Sequence, residues 1–277
     1  MEIKPLTGGL GAEIFGADPL RPTDFAGIRA AFATHSVIVL RGQNMTPDAH
    51  LSLARRFGRI NVNRFFKPLD GHPEIATVIK EADQKQAVGE GWHTDHSYDT
   101  EPALGSILRA VEMPPVGGDT VFASMGMAYE ALSPAMQDFL EGLYAWHSSH
   151  HVFGTGVEDS EAVQSGRLGN AAKAQQDARH PVVIRHPLSG RRGIYVNPVF
   201  TTGIDGLEKA ESEAVLNFLY AHCQQPEFHC RVRYRAGDVA MWDNRATWHK
   251  AINDYHGHRR EMHRITVAGC ALNAARG

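Results

Sequence analysis

His93 and Asp95 stand two apart in the stretch Gly91-Trp92-His93-Thr94-Asp95-His96-Ser97-Tyr98-Asp99. On a β-strand, residues at that spacing point to one face. The spacing therefore predicts an imidazole and a carboxylate projecting side by side into one cavity. A second histidine from elsewhere would complete a two-histidine, one-carboxylate facial set, which leaves three positions on an iron open to reactants. His-x-Asp alone is weak, because a chain with 16 histidines contains such a tripeptide by chance.

The second chemically loaded stretch runs Asp243-Asn244-Arg245-Ala246-Thr247-Trp248-His249-Lys250, then Asp254-Tyr255, then Arg259-Arg260-Glu261-Met262-His263-Arg264. A strand expected at 238–242 turns at Asp243-Asn244, and His249 follows on the return. His249 is thus the candidate third ligand. His256, His258 and His263 compete from a more polar, loop-like context. Arg260 and Arg264 are four apart, so on a strand they share a face. Two guanidiniums facing a barrel interior repel each other unless anions lie between them, and arginine is suited to bidentate carboxylate or sulfonate recognition. A solvated basic surface is the simpler alternative. Thr120, just after Gly117-Gly118-Asp119, could add a hydroxyl to such an anion pocket.

The elements that must position these residues read as short strands with helices set outside them. Glycines break up strands over 1–20. A helix is expected from Thr23 or Asp24 to Ala33, and a second after the N-cap Thr46 with Pro47 at its first position. Pro134 is expected to split a helix spanning 127–143, and a further helix covers 207–223. Strands are expected at 36–40, 75–79, 107–111, 120–123, 181–184, 193–196, 228–234, 238–242 and 264–270. The polar loop 80–91 leads into His93 and reads as a lid. The polar segment of about 150–180 reads as an insertion over one mouth of a barrel. The pattern is mainly β with peripheral helices, a barrel or jelly roll, in one domain over 1–277.

Composition narrows the function classes. The chain has 277 residues, 43% hydrophobic and 21% charged, with net charge −3. There is no basic footprint for nucleic acid. No apolar run is long enough to span a membrane. Three cysteines without zinc-ribbon spacing suggest ordinary thiols in a reducing cytoplasm.

With these blocks in order, the chain resembles the taurine dioxygenase / 2,4-dichlorophenoxyacetate dioxygenase family of Fe(II)- and 2-oxoglutarate-dependent oxygenases. The matching blocks are LTGGLGAEIFGAD at 6–18, WHTD at 92–95, PPVGGDTVFASMGMAY at 114–129, GIYVNPVFTT at 193–202 and WDNRATWHKAINDYHGHRREMHR at 242–264. The resemblance implies a double-stranded β-helix core, a cupin-like jelly roll. It implies that His93, Asp95 and His249 ligate Fe(II). Arg260 and Thr120 would hold the distal carboxylate of 2-oxoglutarate, and Arg264 would face the anionic group of the primary substrate. O2 would be consumed, with succinate and CO2 formed as a substrate C–H is hydroxylated. Related halogenases lack the carboxylate, so Asp95 favours hydroxylation.

The substrate expectation is a small anionic sulfonate, sulfate ester or aryloxyalkanoate. Taurine-cleaving members carry a histidine where Asn63 stands here, and Asn63 carries no charge. Phe66, Phe153 and Phe200 are expected to line the substrate pocket. The alternatives are a hydroxylase or desaturase tailoring an amino acid or natural product, and a non-catalytic jelly-roll binding protein. The resemblance further implies a homodimer or homotetramer.

Overall fold

The computed structural model describes residues 1–154, 156–157 and 159–276; residues 155 and 158, within the expected insertion, and 277 lie outside the described residues. Its centre is a nine-stranded sheet. The strands that matter for the site are neighbours in it: Val37–Leu40, Val239–Asp243, Gly105–Glu112, Arg260–Val267 and His72–Lys80. A three-stranded sheet faces it, with Thr120–Ser124 between His229–Val232 and Thr247–Ala251. Together they form the jelly roll.

The strand sequences explain the layering. Val37–Leu40 is buried along its whole length. Successive side chains alternate between faces, so Ile38 and Leu40 pack outward with Phe32, Leu51 and Leu53. Val37 and Val39 pack inward with Phe122, Trp242 and Met262. The outer helices therefore cover one face of the large sheet, and its other face forms the barrel interior.

The helix Pro47–Phe57 starts as its sequence dictates, with the Thr46 hydroxyl accepting from the Ala49 N–H at 3.2 Å. The first helix differs from expectation. It spans Pro22–His35 with Arg21 at the cap, because Pro22 is already suited to the first helical position and Asp24 instead accepts from the Asp18 N–H. Pro134 opens a separate helix, Pro134–Leu140, after Met125–Glu130. The last large strand begins at Arg260, four residues earlier than the pattern of apolar residues suggested, so both arginines are strand residues. No helix of the described residues is long and apolar enough to cross a membrane.

Candidate active site

The two histidines are brought together by one isolated antiparallel bridge. The His93 N–H donates to the His249 carbonyl at 3.1 Å, and the His249 N–H to the His93 carbonyl at 2.8 Å. Directly opposed residues project to the same side, and the two rings lie 4.2 Å apart, centroid to centroid. Asp95 is not on a strand with His93 as expected. The chain leaves the bridge at once and enters a turn, with the Thr94 hydroxyl donating to the Asn244 carbonyl and His96 in the left-handed region at φ 59°. That turn, rather than strand alternation, delivers the carboxylate. Asp95 Oδ1 lies 3.7 Å from His93 Nε2, and Oδ2 lies 3.6 Å from His249 Nε2. One ligand atom from each of the three falls within 4.8 Å of the others, and all three residues are buried. His256 and His258 are exposed, and His263 pairs with Glu261 at 2.8 Å.

The protonation states match metal ligation. Burial lowers the pKa of His93 and of His249, keeping both imidazoles neutral. Burial alone would raise that of Asp95, but the Arg264 guanidinium holds it well below the usual carboxylate range. His93 Nδ1 lies 2.7 Å from the Gly91 carbonyl, which can only accept, so the ring proton sits on Nδ1 and the Nε2 lone pair faces the site. This donor set of two neutral nitrogens and one carboxylate fits Fe(II).

A model of the taurine catabolism dioxygenase TauD, TfdA family matches residues 2–266. The chain belongs to that family. It is 34% identical to the alkylsulfatase of Acinetobacter baylyi, covering 100% of this chain and 88% of that protein. It is 33% identical to the alpha-ketoglutarate-dependent 2,4-dichlorophenoxyacetate dioxygenase of Cupriavidus pinatubonensis, covering 92% of each. The crystal structure of a taurine dioxygenase from Burkholderia xenovorans superposes with a TM-score of 0.83 at 34% identity, covering 100% of this chain and 93% of that one. Like the family, the chain is a 2-oxoglutarate-dependent, Fe(II)-using dioxygenase.

All ten residues expected at a TauD-type site line one cavity of about 330 Å³: Asn63, Phe66, His93, Asp95, Thr120, Phe153, Phe200, His249, Arg260 and Arg264. Arg260 and Arg264 share the inward face of their strand, as their spacing requires. Arg260 Nε donates to the Gly118 carbonyl at 3.1 Å, which leaves both terminal nitrogens for an anion. Thr120 Oγ1 accepts from the Tyr234 hydroxyl at 3.1 Å, which leaves its own O–H to donate. Gly118 sits at φ 71°, and a Cβ there would stand 3.2 Å from Arg260 Cδ. The glycine pair before Asp119 thus lets the loop close on the arginine.

Two of these residues also have partners within the protein. Arg264 Nη2 lies on Asp95 Oδ2 at 2.9 Å, and its Nε donates to Ser106 Oγ at 3.2 Å. Its charge therefore steadies the carboxylate as well as bordering the cavity. Asn63 Oδ1 accepts from the backbone N–H groups of Phe65 and Phe66 at 2.9 and 3.0 Å, a local turn that presents Phe66. Only its amide nitrogen is left for a ligand. The residues that pattern reading passed over are Ser106, His96, Tyr98 and the Arg64–Asp99 pair, joined at 2.6 Å. Asp99 also holds His96 Nδ1 at 3.0 Å. Their one sequence signal is adjacency, since His96, Tyr98 and Asp99 directly follow the His-x-Asp.

The 80–91 loop and the 150–180 segment both reach the cavity, through Gln86–Gly91 and through Val152, Phe153 and Leu168. They are clasped together. Glu161 accepts from the Lys85 and Gln86 N–H groups at 3.1 and 2.9 Å, and Arg167 donates to the Gln86 carbonyl at 2.8 Å. Glu161→Ala is expected to raise the KM of the primary substrate about three- to tenfold, the scale of partly exposed charge-assisted hydrogen bonds. It should also speed proteolytic nicking within 80–91. Unchanged nicking would show that the clasp does not order the loop.

Proposed function

We propose that His93, Asp95 and His249 hold the Fe(II), that Arg260 and Thr120 bind the distal carboxylate of 2-oxoglutarate, and that the substrate is an organic anion with an apolar body. The observation that carries this reading is one cavity lined together by the His93–Asp95–His249 triad, by Arg264 and by the rings of Phe66, Phe153 and Phe200. Bound Fe(II) and 2-oxoglutarate supply the O2 chemistry that hydroxylates a C–H bond as succinate and CO2 form. The chain's residues do the rest. The triad would hold the metal, the arginine and threonine would orient the co-substrate, and the apolar wall would exclude water.

The wall favours sulfate esters and aryloxyalkanoates over taurine. Phe153 stacks on Phe65 at 4.2 Å, and Tyr98 meets Phe200 edge-on at 4.9 Å. That apolar surface has nothing to offer a two-carbon aminosulfonate. The names of the relatives, an alkylsulfatase and an aryloxyacetate dioxygenase, run in the same direction. Hydroxylation beside the ester or ether oxygen would give an unstable product that falls apart. We further infer that 1–277 works as one catalytic unit and that it is a cytoplasmic homodimer or homotetramer, which light scattering on the purified protein would test.

The deciding experiment is succinate release under Fe(II), ascorbate and O2 across alkyl sulfates, sulfonates, aryloxyalkanoates and amino acids. Strong coupling to amino acids alone would overturn the anion reading. Arg264→Ala is expected to raise the KM of the anionic substrate at least tenfold and, because Asp95 loses its partner, to weaken Fe(II) binding as well. Weakened Fe(II) binding with an unchanged KM would confine Arg264 to the metal.

A further inference from the structure

The strand His72–Lys80 places a lysine where none of the functions described so far uses one. Lys80 is only 2% exposed, and its Nζ has no hydrogen-bond partner among the described residues. Among the described residues, Nζ lies over the face of the Tyr255 ring, 4.4 Å from the centroid. Removing an ammonium from water is strongly unfavourable unless it meets an acceptor or an anion, and a ring face offsets only part of that cost.

Register puts the side chain on the sheet face that turns toward the cavity, behind the residues that line it rather than among them. Lys80 is the register partner of Arg260, and directly opposed residues share a face. Val78, two residues earlier on the same face, lines the cavity with Arg260. The nearby carboxylates are engaged elsewhere. Glu81 holds Arg259, Glu90 accepts from Ala87 and Asn253, and Asp254 holds the Gly118 N–H and Arg231. Lys80 and Arg260 are therefore adjacent inward cations, and among the described residues neither is paired with a protein carboxylate.

We propose that Lys80 is a second cation of the 2-oxoglutarate site, completing the recognition of the distal carboxylate that Arg260 begins. This inference rests on the assignment of Arg260 to that carboxylate. A carboxylate has about four lone-pair sites on its two oxygens, enough to accept from a guanidinium, the Thr120 hydroxyl and an ammonium together. Lys80 also opens the 80–91 loop, so a carboxylate drawn to it would fix the start of the segment that borders the cavity at Gln86–Gly91.

The test uses full-length protein loaded with Mn(II), so that binding is read without turnover. Calorimetric titration with N-oxalylglycine, which carries a distal carboxylate, is compared with oxalate, which does not. Lys80→Met keeps the stem packed on Tyr255. It is expected to weaken N-oxalylglycine about ten- to a hundredfold, the scale of one hydrogen bond to a charged group, and to leave oxalate unchanged. Its ligand-free melting temperature should equal or exceed that of the wild type, since an unpaired buried charge is gone. Should Lys80→Met not fold, Lys80→Gln carries the same affinity expectation. If N-oxalylglycine binds Lys80→Met as it binds wild type while Arg260→Met is impaired, Lys80 has no part in the site and the Arg260 assignment stands. If neither variant is impaired, both assignments fall. Equal weakening of oxalate and N-oxalylglycine, or a lowered ligand-free melting temperature with unchanged affinity, would make Lys80 a structural residue.

Discussion

His249→Ala is expected to lose Fe(II) binding and turnover together. The imidazole is buried between the Phe122 and Trp242 rings, with centroids 5.9 and 4.8 Å away, and is held neutral by that burial. Its Nδ1 has no hydrogen-bond partner among the described residues, so the substitution strips no polar contact from the protein there. What it removes is one of three converging donor atoms. Losing a residue outside the coordination sphere already costs 10- to 100-fold in metal affinity or activity, so loss of a ligand should cost at least about a thousandfold in succinate release. Anaerobic Fe(II) titration and a coupled succinate assay measure the two effects, and the thermal melt of the metal-free protein should stay near that of wild type. Retained Fe(II) affinity in this variant would remove His249 from the triad and reopen the choice among the histidines near the C-terminus.

The residues of this centre were legible in the sequence, but the way they are positioned was not. His-x-Asp suggested a strand carrying both side chains. The structure instead uses a single bridge for His93 and a turn for Asp95, with His96 left-handed after it. Which side chains converge depended on residue types, which the sequence displays. The backbone route depended on Thr94 reaching the Asn244 carbonyl, 150 residues away. The same distinction explains Arg260 and Arg264. Period-two spacing placed both on one face, whereas the Arg264–Asp95 pair needs the fold to bring residues from two distant blocks together. Lys80 was invisible for a different reason. In sequence it begins the polar run KEADQK and reads as solvated, and only its register opposite Arg260 shows that it points inward.

Asp243→Ala is expected to be the most destabilising of these substitutions, and to disable the site by unfolding rather than by chemistry. The Asp243 carboxylate is buried and holds Arg245 at 2.7 and 2.9 Å and His186 Nε2 at 3.0 Å. Removing it strands the Arg245 guanidinium, itself 3% exposed, without its anion. Breaking a buried pair in this way costs about 3–5 kcal/mol, against a total stability of about 5–15 kcal/mol for a typical domain. The consequence reaches the metal centre because this turn also supplies the Asn244 carbonyl that receives Thr94, and it launches the strand that carries His249. Burial would raise the Asp243 pKa, but Arg245, with His186, holds it far below the usual carboxylate range. The folded pKa is thus lower than the unfolded one, so the unfolded chain binds more protons in acid. The stabilisation is present above about pH 4, the unfolded carboxylate value, and is lost as pH falls below it. Urea denaturation should show a lower midpoint for Asp243→Ala at pH 7, with the gap to wild type narrowing in acid. Asp243→Asn, which keeps the shape and loses the charge, should fall between the two. A midpoint for Asp243→Ala equal to that of wild type at pH 7 would mean that Arg245 finds another partner and that the turn does not depend on this pair.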